Sequence, residues 1–256
     1  ITLREGGQQT YRASESQRWR QAVFQAVKAN AAGEVDDLFE RGCPVDIMEA
    51  GTGDTPLLMA ARLGHVDVVQ ACLDRGARND PHPSFGQTAL QAAAAAGRLE
   101  AVRLILEVAA PSKADQVIVN HEDPNREAPL HVAARRGDVP LVELLLLHGA
   151  QLGLVDGQGR TALHSACKGG HERVLAYLLD AGGDAHLEEK DAQGDRPLHV
   201  AAEQGKLACV RLLLETAARV RPGNHQFRTP FQLATAKGHS QVARLLHEYD
   251  PQAAEA

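Results

Sequence analysis

One short helix-opening segment recurs six times along this chain of 256 residues. A glycine stands nine positions after the first residue of each copy, and successive copies are 33, 40, 33, 35 and 33 residues apart. The first residues of the copies are Thr55, Thr88, Ala128, Thr161, Arg196 and Thr229. A period of this length is typical of arrays whose units bury their apolar faces against their neighbours. The chain is therefore expected to fold as a stack of repeats.

Each copy contains residues that favour a helix start. A threonine oxygen can cap free amide groups there, and proline at the first helical position loses no hydrogen bond. The glycine nine residues later tolerates the left-handed backbone that ends a helix, and a second, leucine-rich helix follows it. Two such short helices are marginal alone, so stacking must stabilise them. The predicted starts of the first helices are Pro56, Ala89, Pro129, Ala162, Pro197 and Pro230.

The residue types resemble those of the ankyrin-repeat family, whose unit reads Thr-Pro-Leu-His-x-Ala, then Gly-His, then a leucine-rich helix that ends in Gly-Ala. The copy that opens at Thr161 carries Leu163-His164 and Gly170-His171. The copies at His131 and His199 carry Leu-His-Val-Ala-Ala. The similarity covers about residues 22 to 249. It implies an all-α solenoid of stacked helix-turn-helix pairs with short β-turn fingers.

Seven repeats are predicted, and the first one is atypical. A polar leader, residues 1–17, need not be ordered, and a tail, residues 251–256, follows the repeats. The first repeat lacks the opening tetrapeptide and is predicted to have helices over Gln17–Ala29 and Val35–Glu40. The polar residues of His239–Tyr249 suit a cap at the other end of the stack. The predicted repeats are 18–46, 47–79, 80–119, 120–152, 153–187, 188–220 and 221–250.

Seven extra residues lie between the third and fourth repeats, within Ala109–Asp123. This connector contains an apolar, β-branched run, Val117-Ile118-Val119, in otherwise polar surroundings. The run either packs back on neighbouring helices or forms an edge to which a partner docks. The sequence leaves both interpretations open.

Composition excludes several classes of function. The net charge of -6 argues against general binding to nucleic acid, which needs a surplus of Lys and Arg. No apolar stretch approaches the roughly 20 residues that span a bilayer, so membrane insertion is not expected. The chain begins with Ile1 rather than methionine, which indicates a piece of a longer protein.

The four cysteines are predicted to be reduced core residues. Cys72, Cys167 and Cys209 occupy positions of small buried residues, and Cys43 replaces the alanine of a Gly-Ala pair. None has the Cys-x-x-Cys spacing of a metal or redox site. This usage favours the cytoplasm or the nucleus.

Twelve histidines raise the question of a metal or acid–base site. The resemblance implies that His131, His164 and His199 bond neighbouring backbone and steady the connections between repeats. His65, His171 and His239 follow the helix-ending glycines, which is again a template position. No pair has the spacing of metal ligands with an accompanying acid. We therefore predict no metal, no cofactor and no catalytic residues.

The remaining candidate is a charged surface. In ankyrin proteins, partners usually contact finger tips and the inner face of each first helix. The equivalent positions carry seven basic residues and four acids (Asp54, Glu127, Asp195 and Glu203), so this face is 7 - 4 = +3 in a chain of -6. The excess is greatest in repeats four and five. The basic residues are Arg62, Arg135, Arg136, Arg160, Lys168, Arg228 and Lys237.

The sequence therefore predicts a monomeric protein-interaction module, such as a scaffold or adaptor, without enzymatic activity. Its partner is expected to be a protein or peptide, acidic or phosphorylated, because arginine forks bind carboxylate and phosphate in pairs of hydrogen bonds. Two alternatives stay open. The chain is the regulatory or substrate-recruiting segment of a larger kinase, ubiquitin ligase or ion channel, or its basic groove binds a small polyanion such as an inositol phosphate.

Overall fold

The computed structural model describes residues 3–109, 118–216 and 218–251. These residues contain helices, turns and bends, and no β-strand occurs among them. The predicted all-α class is therefore confirmed. The chain divides into two compact units, Ile1–Ile118 and Val119–Ala256.

The first unit holds three helix pairs. Its helices are α1 (Leu3–Lys28), α2 (Ala32–Glu40), α3 (Pro56–Leu63), α4 (Val66–Asp74), α5 (Ala89–Ala96) and α6 (Leu99–Ala109). The two helices of each pair contact one another, α1, α3 and α5 pack in sequence, and α2, α4 and α6 do the same. Each repeat thus covers the apolar face of the next.

The second unit holds four helix pairs with the same packing order. The first helices are α7 (Pro129–Arg136), α9 (Ala162–Gly169), α11 (Pro197–Glu203) and α13 (Pro230–Ala236). The second helices are α8 (Val139–Leu147), α10 (Glu172–Asp180), α12 (Leu207–Glu215) and α14 (Ser240–Tyr249). A short 3-10 helix, Gly183–His186, follows α10. The seven pairs predicted from the repeat count are present in the described part of the chain.

The helix boundaries follow the predicted signals. All six first helices begin at the predicted residue. Thr55 caps α3 by accepting the Leu58 N–H at 3.2 Å, and Gly64 ends the helix with a φ of 81°. The leucine at the second helical position is at most 1% exposed in five repeats. These leucines are Leu57, Leu90, Leu130, Leu163 and Leu198.

The first repeat differs from the prediction at its helix starts. Helix α1 begins at Leu3 instead of Gln17, and α2 begins at Ala32 instead of Val35. The predicted apolar face is largely correct, since Val23, Phe24 and Val27 are buried. Once this packed face nucleates the helix, extending it toward the N-terminus adds one hydrogen bond per residue without a new nucleus. The polar leader therefore needs no apolar period to be helical.

The insertion lies mostly outside the described residues, which omit 110–117. Of the apolar run Val117-Ile118-Val119, Ile118 and Val119 are helical, and the side chain of Val119 is buried. The choice between a packed connector and a docking edge stays open for the rest of the run.

Candidate partner-binding surface

A repeated turn shapes the fingers of the second unit. Each finger begins with an Asp or Asn whose side chain accepts two backbone N–H groups, as Asp156 does from Gln158 at 2.8 Å and Arg160 at 3.0 Å. Asp123, Asp191 and Asn224 make the same contacts. Asp and Asn favour such turns because their short side chains reach the backbone two residues on. The sequence carries a signal for this set, since an Asp or Asn stands five residues ahead of each opening segment of this unit.

Backbone hydrogen bonds also join neighbouring fingers in this unit. The first residue of a finger tip donates its N–H to the carbonyl of the second tip residue of the preceding finger. This occurs between Gly157 and Asn125 at 2.6 Å, Ala192 and Gln158 at 2.8 Å, and His225 and Gln193 at 2.9 Å. The finger tips are thereby held in a fixed series.

The histidines at the fourth position of the opening segments join fingers to helices through hydrogen bonds to the backbone. In His164, Nδ1 accepts the Thr161 N–H at 3.1 Å, while Nε2 lies 3.1 Å from the Asp195 carbonyl. Since a carbonyl only accepts, this network assigns the proton to Nε2. His131 is arranged likewise, with Nε2 3.0 Å from the Leu154 carbonyl. Burial lowers the pKa of both rings, which favours the neutral form.

The histidines after the helix-ending glycines bond the preceding repeat. The ring of His171 lies 2.9 Å from the Arg135 carbonyl, and that of His239 lies 2.9 Å from the Glu203 carbonyl. His65 contacts the Val27 carbonyl at 2.8 Å. The predicted bonds to neighbouring backbone are therefore present at these three residues and at His131 and His164, while His199 accepts the Arg196 N–H of its own repeat at 3.3 Å. Within the described residues, no group of three or more His, Cys, Asp or Glu side chains is arranged to hold a metal ion.

The four cysteines are buried and free. Burial raises the pKa of Cys43 and of Cys209 to about 11 and that of Cys72 to about 12. Because the thiolate is the reactive form, these side chains behave as small apolar residues.

We expect folding to depend on neither metal nor disulfides. Thermal melts recorded by circular dichroism with and without a chelator, and with and without a reductant, should coincide, because the histidines bond backbone and the cysteines are free thiols. A melting temperature several degrees lower in the chelator would contradict this assignment.

Two of the predicted basic residues are engaged with acids of their own repeat. Arg62 forms a two-pronged pair with buried Asp54, at 2.7 and 3.0 Å. Arg135 forms an ion pair with Glu127, which lies eight residues earlier in the sequence, the same separation as between Arg62 and Asp54. Both arginines remain about half exposed, so each can also face a partner.

Arg160 has a partner that the sequence count omitted. Its guanidinium bonds the Asp156 carboxylate at 2.8 and 2.9 Å. Burial alone would raise the pKa of Asp156, but hydrogen bonds from the Arg160 side chain and backbone lower it. With Asp156 included, the inner face of repeats four and five is 4 - 2 = +2, rather than four bases against Glu127 alone.

The structure brings only part of the basic cluster together. Arg135 and Arg160 line one cleft of about 490 Å3, here called the Arg135–Arg160 cleft, whose walls include Asn125 and Gly157. Lys168 lies in the last turn of α9, is exposed, and forms no ion pair with any described residue. Arg136 lines a separate cleft of about 590 Å3 with residues of the following repeat.

The basic excess does not continue into repeats six and seven. Lys237 lies 3.3 Å from Glu203. The pKa of Asp195 is raised by burial and by the nearby charges of Asp191 and Glu203, while Asn224 and Arg228 oppose this shift. Here acids offset Arg228 and Lys237, because 2 - 2 = 0 for Arg228, Lys237, Asp195 and Glu203.

Stacked helix pairs and the turns that join them define a repeat protein. The family model for ankyrin repeats in three copies matches residues 23–116, 109–191 and 181–255. The chain belongs to the ankyrin-repeat family, whose repeats generally mediate protein–protein interaction and are typically non-catalytic.

Similar curated proteins are much longer than the matched segment. The chain is 31% identical over 218 residues to SH3 and multiple ankyrin repeat domains protein 2 of Homo sapiens, covering 84% of this chain and 11% of that protein. It is 32% identical to the nuclear factor NF-kappa-B p105 subunit of Rattus norvegicus, over 67% of this chain and 16% of that protein. It is also 32% identical to ankyrin repeat and SOCS box protein 16 of Homo sapiens, over 80% of this chain and 46% of that protein.

None of the helices in the described residues combines the length and the apolar character needed to cross a membrane.

Proposed function

We propose that this chain is a protein-interaction module that binds an acidic segment of a partner protein in the Arg135–Arg160 cleft. The cleft carries the proposal because two guanidinium groups line it, together with Glu127 and Asp156, the carboxylates that hold them. Each guanidinium has five N–H donors, and the bonds to Asp156 and Glu127 leave donors for a ligand. Groups that are fixed before binding lose less entropy when a partner arrives.

Lys168 extends this basic surface at the end of α9. It is exposed and has no carboxylate of the described residues within 4 Å. The rest of the chain carries -6 - 2 = -8, so an acidic ligand is attracted to this face and repelled elsewhere. The length of the relatives supports a role in which the module recruits partners for a larger protein. The free, buried cysteines support a reducing compartment, the cytoplasm or the nucleus.

Calorimetry with a glutamate-rich 12-residue peptide, its phosphoserine counterpart and inositol hexakisphosphate tests the proposal. Replacing Arg135 and Lys168 by glutamine should weaken peptide binding about tenfold, the equivalent of about 1.4 kcal/mol. Glutamine can still bond Glu127, so the melt should hardly change. Binding should also weaken with added salt.

The matched control removes two exposed arginines from second helices of the same unit, Arg211→Gln with Arg244→Gln. It should bind the peptide as the wild type does. Equal affinity of the wild type and the Arg135→Gln/Lys168→Gln variant would refute the site. Strong binding of inositol hexakisphosphate with no binding of either peptide would favour the small-polyanion alternative instead.

A further inference from the structure

The finger of the third repeat, His82–Gln87, is built on a histidine where the fingers of the second unit have Asp or Asn. The Nδ1 atom of His82 accepts the N–H groups of Ser84 at 3.1 Å and of Phe85 at 3.2 Å. The finger is closed by the His82 N–H, which donates to the Gln87 carbonyl at 2.8 Å. A single titratable atom therefore holds both tip amides.

The same ring links this finger to the finger of the second repeat, Glu49–Asp54. In the second unit, such links run from the N–H of the first tip residue to the preceding finger. The first tip residue here is Pro83, which has no N–H to donate. The Nε2 atom of His82 lies 2.8 Å from the Thr52 carbonyl instead. Since a carbonyl only accepts, this network assigns the proton to Nε2 and leaves Nδ1 as the acceptor.

This bonding pattern requires the neutral ring. A proton on Nδ1 would replace the lone pair that the Ser84 and Phe85 amides share with a third N–H pointing at them. The ring has no space in which to turn away, because His82 is 4% exposed and stacks on the Phe85 ring with centroids 4.7 Å apart. It also lies close to Gly53, where a Cβ would come within 3.1 Å of Nε2. Proton uptake on Nδ1 is therefore compatible with an open tip and not with the closed one.

The charges around His82 give a cation little compensation. Asp54 is buried and lies 3.6 Å from Nε2, but its oxygens already bond the Arg62 guanidinium at 2.7 and 3.0 Å. The other charged residues of the two fingers and of the small cleft beside His82 are also paired, Glu49 with Lys28, and Arg78 with Asp46 and Asp80. The Arg78 group has one excess negative charge, in partly or largely exposed positions where water and salt screen it.

We propose that His82 is a proton-operated latch on the third finger. The neutral ring holds the tip closed, and a proton taken from water onto Nδ1 releases the amides of Ser84 and Phe85 together with the Phe85 ring. An open tip accepts either form of the ring, so acid shifts the population toward it. In the finger of the fifth repeat, hydrogen bonds from Arg160 hold the pKa of Asp156 below its ordinary value against the effect of burial, so that finger stays closed in mild acid.

Asn224 shows how a neutral side chain fills the same position in another finger. It accepts two tip N–H groups, at 2.9 and 3.1 Å, and its Nδ2 donates to Asp195 of the preceding finger at 2.7 Å. Asp195 directly precedes the opening segment of its repeat, as Asp54 does. His82→Asn should therefore keep the third finger closed and remove its response to acid.

Nuclear magnetic resonance on the 256-residue chain tests the proposal. Hydrogen-exchange protection of the Ser84 and Phe85 amides is followed from pH 7.5 to 5.5, corrected for the intrinsic pH dependence of exchange, and the His82 ring is followed by its chemical shifts. We expect protection of both amides to fall at least tenfold in the wild type, with the same midpoint as protonation of the ring. In His82→Asn it should fall less than twofold. The amides of Gln158 and Arg160, which Asp156 holds, should keep their protection.

Full protection of Ser84 and Phe85 after the ring has taken up its proton would overturn the proposal. So would a ring that stays neutral down to pH 5.5, or an equal loss of protection in His82→Asn, which would assign the response to another group. An equal loss at Gln158 and Arg160 would reveal general acid unfolding and would overturn it as well. The wild-type titration decides the proposal even if His82→Asn does not fold.

Discussion

Truncating Leu163 to alanine is expected to lower the free energy of unfolding by about 2 to 5 kcal/mol, the usual range for emptying a buried leucine site. Leu163 has no exposed surface, and it stands at the second position of α9, which packs against α7 and α11. The cavity would therefore open inside the stack, where neighbouring helices cannot collapse without shifting their own contacts. Urea unfolding followed by circular dichroism at 222 nm measures the loss.

Leu147→Ala is the matched control for this experiment. It removes the same atoms from the last residue of α8, where the side chain is 81% exposed. Exposed substitutions usually change stability by about 0.5 kcal/mol or less. If Leu163→Ala also costs less than about 0.5 kcal/mol, the assigned register of the repeats is wrong.

The helix starts could be predicted from the sequence because their causes are local. Thr55, Pro56 and Gly64 act through contacts within a few residues, and each copy has the glycine together with a threonine, a proline or both at its start. The start of α1 has no such local signal. Leu3–Gln17 carries no cap and no apolar period, and its helix depends on the packed face around Phe24. Local patterns therefore placed the repeated helices well and the atypical one poorly.

The charges of the inner face could be counted from the sequence, but their pairing could not. Arg62 and Asp54 are eight residues apart, and they meet only because the finger folds against the last turn of α3. Asp156 was overlooked as a counter-charge because the pair with Arg160 forms within a turn rather than on a helix face. Pairing depends on where a finger places its side chains, so a count of charges overstated the basic excess.

The left-handed turn at two finger tips was also beyond the sequence pattern. Glycine at the third tip position explained this turn in four fingers, whereas Arg126 and Phe227 at the same position suggested no particular backbone, yet have φ values of 57° and 59°. Only the neighbouring fingers show that these two residues must adopt a positive φ. A residue that replaces a repeated glycine therefore keeps the glycine's backbone conformation when the rest of the finger is unchanged.

Lowering the pH from 7 to 4.5 is expected to destabilise the chain, in large part through His199. Burial, together with the positive charge of Arg196, lowers the pKa of this ring from 6.5 to about 4. The unfolded chain binds a proton near pH 6.5, whereas the folded chain does not until about pH 4. The stabilisation is therefore complete above pH 6.5 and is lost as the pH falls through this window. One pKa unit corresponds to about 1.4 kcal/mol, so His199 alone accounts for roughly 3 kcal/mol.

His199→Gln isolates this contribution, because glutamine is a natural occupant of the same template position. Gln91 and Gln232 accept the backbone N–H of Thr88 and Thr229 at 3.0 Å, which is the role that His199 Nδ1 fills for Arg196 at 3.3 Å. The variant should fold and should lose clearly less stability than the wild type between pH 7 and 4.5 in urea titrations. His247→Gln, at an exposed position, should keep the wild-type pH dependence. His131 and His164 have pKa values lowered by burial as well, so part of the acid sensitivity should persist in every variant. An unchanged pH dependence in His199→Gln would show that the ring of His199 is not held neutral by the stack.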